Sequence, residues 1–199
     1  MNCSYVNVFD NFLTDCELEK CNELQYKPLW QFGQISQSSP IATPFWMMLL
    51  DHDSFFTKEL VSKIENVTQK KYELVRVYAN GQTFGQDGTY HQDDTSDESY
   101  TFCLFVNKQI INESVDNIGG EFIFKIPVRS NNDTGSTTTT NNHTNFNFSR
   151  VIVEPIYNRG ILFPSNLFHK GLAFNRYNRG LRISIAWKLR LIKNDADDS

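Results

Sequence analysis

The sequence predicts a mainly β fold with flanking helices, and three observations lead there. First, 40% of its 199 residues are hydrophobic and 21% charged, enough apolar material for a packed core. Second, the aromatic load is heavy, with 16 Phe, 8 Tyr and 3 Trp, and aromatic residues favour strands. Third, the apolar period is helical before Tyr72 and two-residue after it, with Gly and Asn clusters between short runs. Helices followed by many short strands predict a sheet sandwich or barrel with helices packed on one outer face. The length suits one domain spanning residues 1–199: a helical N-terminal support over 1–71, a β core over 72–191 and an insertion over 129–147.

Tyr5-Val6-Asn7-Val8-Phe9 is a short strand candidate. Thr14 opens a capping box with Glu17, followed by Leu18, Cys21 and Leu24 at helical spacing. The polar stretch from Gln31 to Pro44, with Gly33 and Pro40, reads as a loop. A second helix is expected from about Ser54 to Lys70, where Phe56, Leu60, Ile64 and Val67 form one stripe. Leu74–Ala79 then reads as a strand ended by an Asn80-Gly81 turn. Further strand candidates are Thr83–Tyr90, Tyr100–Asn107, Glu121–Ile126, Val151–Glu154, Gly160–Phe163, Phe168–Phe174 and Leu181–Leu191. Between Arg129 and Asn147 the low-complexity run cannot bury enough apolar surface to offset its ordering entropy. It reads as a mobile insertion between two strands, and His143 within it is assigned no role.

Charge and cysteines narrow the function. A net charge of −4 argues against nucleic acid held by a broad basic surface. No run approaches a membrane span of roughly 20 apolar residues. The first residues lack the basic start and apolar core of a signal peptide, so a cytoplasmic, intracellular protein is expected. Cys3, Cys16, Cys21 and Cys103 show no framework spacing and read as free thiols. The Asn-x-Ser/Thr sequons, for example at Asn66 and Asn112, follow from an Asn- and Thr-rich composition.

Chemistry concentrates at two of the four histidines. In His91-Gln92-Asp93, residues two apart share a strand face, so an imidazole and a carboxylate converge. His169 offers a second imidazole, and two histidines with one carboxylate form a facial triad suited to iron(II) with open positions. Alone, a His-x-Asp is also compatible with a solvated strand end. The last strand sharpens the choice. Arg182, Ser184 and Ala186 share one face, and a guanidinium facing inward from an apolar strand requires an anion. The competing reading is an internal pair with an acid, for which no sequence neighbour offers itself.

These motifs carry a resemblance. In order, His91-x-Asp93, Gly119-Gly120-Glu121-Phe122, Gly160-Ile161-Leu162-Phe163-Pro164, His169-x-Gly171 and Arg182-x-Ser184 resemble the iron(II)- and 2-oxoglutarate-dependent oxygenases, and within them the prolyl 4-hydroxylase-like branch with its small viral and phage members. The resemblance covers about Tyr72 to Leu191, and Val8–Leu13 is similar to that branch's N-terminus. It implies a double-stranded β-helix, a cupin-like jelly roll. It implies His91, Asp93 and His169 as metal ligands and Arg182 as the 2-oxoglutarate anchor, with Ser184 as a further donor. Tyr78 matches a cosubstrate-contacting phenol, with a core aromatic as the alternative. Phe105 stands where the family often has a second phenol, and Thr101 on the same face is a substitute donor. Arg179 competes for the anchor role but sits in the Asn178-Arg179-Gly180 turn. Arg76 shares a face with Tyr78 and is placed either for an acidic substrate group or for a salt bridge.

The implied activity is a dioxygenase that hydroxylates an unactivated C–H bond and releases succinate and CO2. The implied cofactors are Fe(II) and 2-oxoglutarate, with ascorbate as reductant. A peptidyl proline is the leading substrate, so the expected partner is a peptide, protein or small molecule, with no membrane and no nucleic acid. The alternatives are a non-catalytic jelly-roll binding protein, or an oxygenase acting on a small molecule or nucleobase. The loop from Gly81 to Tyr90 and the insertion are placed to flank the mouth.

Overall fold

The computed structural model describes residues 5–108, 118–128 and 148–193. The expected insertion over 129–147 and residues 194–199 lie outside these described residues.

The described strands form two antiparallel sheets. The larger takes β1 (Asn7–Phe9), β2 (Gln31–Gln34), β3 (Phe45–Leu49), β4 (Tyr72–Gln82), β5 (Ser99–Phe105), β8 (Arg159–Pro164) and β10 (Arg182–Leu191), in the order β1-β8-β5-β10-β4-β3-β2. The smaller takes β6 (Phe122–Pro127), β7 (Phe148–Val153) and β9 (His169–Gly171), in the order β7-β6-β9. Helix α1 spans Asp15–Asn22 and α2 spans Leu60–Thr68, the latter entered through a wide π-helical turn at Phe55–Glu59.

Strand alternation builds two cores from the same strands. Val77 and Ala79 of β4, Phe102 and Leu104 of β5, and Ile183, Ile185 and Trp187 of β10 join one buried cluster with the helical residues Leu18, Cys21, Leu60 and Ile64. Their neighbours Tyr78, Cys103, Phe105 and Ala186 join another, with Phe122 and Phe124 of the smaller sheet. The central strands are therefore apolar on both faces, a helix layer on one side and the second sheet on the other. Trp187 shows how tightly the helix layer is joined: fully buried, its indole N–H donates to the Phe56 carbonyl at 2.8 Å.

Helix α1 begins as its capping box requires. The Thr14 amide donates to Glu17 Oε2 at 2.7 Å, and the Glu17 amide donates to Thr14 Oγ1 at 3.4 Å. Phe56 in the π-helical turn and Leu60 and Ile64 in α2 are buried as the stripe predicts, but Val67, in the last turn of α2, is exposed.

Some sequence expectations are corrected. Beside the expected strand β1, the segment expected to be helical support also adds β2 and β3 to the large sheet. Gln31–Gln34 is an exposed edge strand, not a loop, and Phe45–Leu49 pairs with both it and β4. Its polar sequence lacks apolar alternation because neither face is buried. Asn80-Gly81 does not turn the chain; both residues pair with β10 and β3. A Cβ on Gly81 would lie 2.9 Å from Trp30, so the glycine serves close packing. Thr83–Tyr90 is not a strand but a turn, with the Gln86 amide donating to the Thr83 carbonyl and Gly85 at φ +85°.

Candidate active site

The site lies between the sheets, on the face of β4 and β10 that turns away from the helices. His91 reaches it without a strand of its own. Its amide and carbonyl exchange two 3.0 Å hydrogen bonds with His169, and the Asp93 amide donates to the Ser165 carbonyl at 2.8 Å. Pairing with the β9 segment thus aims both sides of the His-x-Asp at His169. Facing ligand atoms of His91, Asp93 and His169 all lie within 4.8 Å of one another. His91 Nε2 is 3.4 Å from Asp93 Oδ1, and His169 Nε2 is 3.5 Å from Asp93 Oδ2.

The remaining imidazole nitrogens are fixed. Nδ1 of His91 bonds the Thr89 carbonyl at 2.9 Å, and Nδ1 of His169 bonds the Leu167 carbonyl at 2.8 Å. A carbonyl only accepts, so each Nδ1 carries the proton and each Nε2 presents its lone pair to the centre. Burial among Phe122, Phe124 and Phe163 pushes the His169 pKa down to about 4, only partly countered by Asp93, so it is neutral at neutral pH. Burial pushes the Asp93 pKa up, but Lys188, His91 and His169 more than offset this and hold the carboxyl well below its ordinary range. Two imidazoles with Nε2 turned to the centre and one carboxylate are the donor set an iron(II) site with open positions requires.

Lys188 was missed by the sequence reading. Its ammonium contacts Asp93 Oδ2 directly, and the Thr101 hydroxyl donates to the same oxygen at 2.7 Å. Burial lowers the Lys188 pKa, but Tyr78 and Asp93 raise it further, so the side chain is a cation. Its signal was present: Lys188 continues the alternating face of Arg182, Ser184 and Ala186. Thr101, a proposed substitute for a cosubstrate donor, instead spends its hydroxyl on Asp93 and lies 3.1 Å from Ser165 Oγ; it does not line the cavity.

Arg182 lies in the same cavity, 1% exposed, its guanidinium carbon 5.4 Å from the ring centres of both Phe105 and Phe122. Its partners are neutral. Nε donates to the Gly120 carbonyl at 2.9 Å, and Nη1 donates to Gln82 Oε1 at 2.8 Å and to Ser184 Oγ at 3.1 Å. Nη2 is buried with no partner among the described residues. Burial lowers its pKa to about 10, which leaves it charged at neutral pH. No ion pair joins it to an acid among the described residues, although Glu121 and Asp87 act on it from a distance and partly oppose the effect of burial. Gly119 and Gly120 explain the Gly120 contact: both have positive φ, at +77° and +93°, and a Cβ on Gly119 would lie 2.8 Å from the Ala173 carbonyl oxygen. Arg179 is exposed, outside the cavity.

Tyr78 lines the cavity between these groups, its pKa raised by burial, so its phenol is a protonated donor. Arg76 stacks on the Tyr78 ring at 4.9 Å and lines the exposed side of the cavity. No ion pair of Arg76 occurs among the described residues. No described helix is long and apolar enough to cross a membrane.

Solved structures share this fold. A prolyl hydroxylase from Trichoplax adhaerens, in complex with a hypoxia-inducible-factor oxygen-degradation-domain peptide fragment, is 15% identical and matches 95% of this chain and 84% of its own, with a TM-score of 0.65. An oxidoreductase of the 2OG-Fe(II) oxygenase family from Burkholderia pseudomallei is 12% identical and matches 94% of this chain and 86% of its own, with a TM-score of 0.65. A prolyl-4-hydroxylase from Pseudomonas putida is 12% identical and matches 95% of this chain and 94% of its own, with a TM-score of 0.61. No protein-family model and no curated protein matches the sequence. The class of fold is therefore that of the 2OG-Fe(II) oxygenases, the jelly roll that the sequence motifs implied. None of these three structures comes from a virus or phage.

Proposed function

We propose that this protein is an iron(II)- and 2-oxoglutarate-dependent dioxygenase that hydroxylates a C–H bond, with a prolyl residue of a peptide as its leading substrate. The observation that carries the reading is the pairing, in one cavity, of a converging His91/Asp93/His169 set with a buried Arg182 that has a free donor and no acid. The first suits a divalent transition metal such as iron(II), and the second calls for an anion such as a dicarboxylate. When bound, iron(II) and 2-oxoglutarate would let dioxygen serve as the oxidant, one oxygen atom going to the substrate as hydroxyl and the other to 2-oxoglutarate, which leaves as succinate and CO2.

The chain's own residues hold and orient. His91 and His169 present fixed Nε2 lone pairs, and Asp93 supplies charge. Thr101 and Lys188 hold Asp93 Oδ2, leaving Oδ1 on the His91 side. Arg182 receives the distal carboxylate of the cosubstrate, steadied by Gln82 and Ser184. Tyr78 stands nearby as a phenolic donor, and Phe122 excludes water. The prolyl substrate is favoured because two of the solved structures named above are prolyl hydroxylases, one of them holding a peptide.

The test is anaerobic addition of iron(II) and 2-oxoglutarate. A visible charge-transfer band is expected, absent in His91→Ala, Asp93→Ala and His169→Ala, followed by substrate-dependent succinate release across a panel of peptides and metabolites. A colourless wild-type mixture, with neither component bound by calorimetry, would favour a binding module.

A further inference from the structure

The cavity carries more positive charge than the proposed cofactors consume. Arg76 on β4 and Lys188 on β10 stand directly opposite in the antiparallel register. Both lie against one aromatic ring: the Arg76 guanidinium carbon is 4.9 Å and the Lys188 ammonium 5.7 Å from the centre of Tyr78. Like charges directly opposite on a sheet repel, so the pair is costly unless an anion sits with it.

Asp93 is the one acid among the described residues that line the cavity. It is already engaged by Lys188 and Thr101 and is the metal ligand of the proposed site. A bound metal dication and a cosubstrate dianion cancel. Asp93 then offsets one of the three cations Arg76, Arg182 and Lys188; Glu121 and Asp87, outside the cavity lining, act on Arg182, so the uncompensated positive charge falls on the Arg76 side. Arg182 and Lys188 are enclosed and already hydrogen-bonded. Arg76 is on the exposed side, its side chain making no hydrogen bond or ion pair among the described residues. Its planar fork matches a carboxylate.

We propose that the substrate carries a carboxylate, close to the carbon that reacts, and that Arg76 receives it at the cavity mouth with Lys188 adding its field from the opposite strand. The inference rests on the oxygenase reading and narrows its substrate to an acidic one. The carboxylate belongs either to an acidic side chain flanking the target in a peptide or to the free carboxyl of an amino acid, and the probes separate the two.

The experiment uses the full chain loaded with manganese(II) and 2-oxoglutarate under nitrogen. Two labelled peptides, identical except that proline is flanked by Asp in one and Asn in the other, are titrated by fluorescence anisotropy. L-proline and L-prolinamide serve as competitors. The Arg76 Nε–H signal is followed by NMR in arginine-labelled protein, assigned by its loss in Arg76→Gln. A charge-assisted fork predicts that the carboxylate member of one pair binds roughly tenfold to hundredfold tighter than its neutral mate and shifts that signal. Arg76→Gln removes the margin, and Arg76→Glu turns the preference towards a Lys-flanked peptide. Equal binding within both pairs, a margin that survives Arg76→Gln, or an unmoved Arg76 signal overturns the proposal. The 2-oxoglutarate titration in the same samples reports separately: its failure sinks the oxygenase reading, whereas the Arg76 signal still reports the anion.

Discussion

Removing the Arg182 guanidinium should separate cosubstrate binding from metal binding. The chosen change is Arg182→Met, which keeps much of the volume and discards the charge. In the structure the group makes three hydrogen bonds to neutral acceptors and leaves Nη2 without a partner among the described residues, with the rings of Phe105 and Phe122 beside the guanidinium. If the distal carboxylate of 2-oxoglutarate sits on that free edge, the variant leaves it desolvated and unpaired. Such losses cost on the order of 2–5 kcal/mol, roughly 30-fold to several-thousandfold in affinity. Arg182→Lys keeps the charge but loses the fork, so it recovers only part of the binding. The change also strands Gln82 Oε1 and the Gly120 carbonyl, at about 1–3 kcal/mol for each buried group left unsatisfied, while relieving a buried charge. Melting temperature without cosubstrate therefore measures the structural share separately. The assay is 2-oxoglutarate titration of the iron-loaded variants under nitrogen, with Arg179→Ala as an exposed control whose effect should be no larger than that of a surface charge. Iron binding should persist in all of them. If Arg182→Met keeps its affinity while Arg179→Ala loses it, the anchor has been assigned to the wrong arginine.

Other expectations are simpler to check. Gly160→Ala places a methyl group against the ring of Phe102, which is fully buried, so overpacking should cost about 1–3 kcal/mol by urea denaturation; an unchanged midpoint would show that the ring has room to move. Replacing residues 130–144 with a short Gly/Ser turn should change stability by only about 1 kcal/mol, because Pro127 and Phe148 already pair at the end of the β6–β7 ladder and loop entropy changes slowly with length; a large fall in melting temperature would refute this. Burial pushes the Cys21 and Cys103 thiols up to about 12, so at pH 8 iodoacetamide should label exposed Cys16 and spare both, as read by peptide mass mapping; labelling of Cys103 at the Cys16 rate would contradict the burial. The same shifts set a sign. Between about pH 8.5 and 12 the unfolded chain releases thiol protons that the folded one retains, so stability should decline as pH rises through that window.

The sequence by itself determined the elements whose faces differ chemically. The capping box of α1 and the buried part of the α2 stripe are local patterns, and they form as written. The alternation in β10 set Arg182 and Ser184 on one face and Trp187 on the other, which the two cores preserve. The His-x-Asp and the distant His169 were legible as residue types, and the structure brings them to one point. Other features were decided only by tertiary pairing. Edge strand β2 is exposed on both sides and carries a single apolar side chain, Phe32, so no alternation marks it. Gly81 reads locally as a turn, but Trp30 and Leu181 pack so close to its Cα that the position accommodates glycine within a paired strand. Thr101 and Lys188 show the limit most clearly. Period two places each on the inward face, but only the packing of β5 and β10 against the His91–Asp93 segment turns both towards one carboxylate oxygen. A one-dimensional period specifies the face a side chain takes; the partner it meets there depends on strands distant in sequence, and so on the fold.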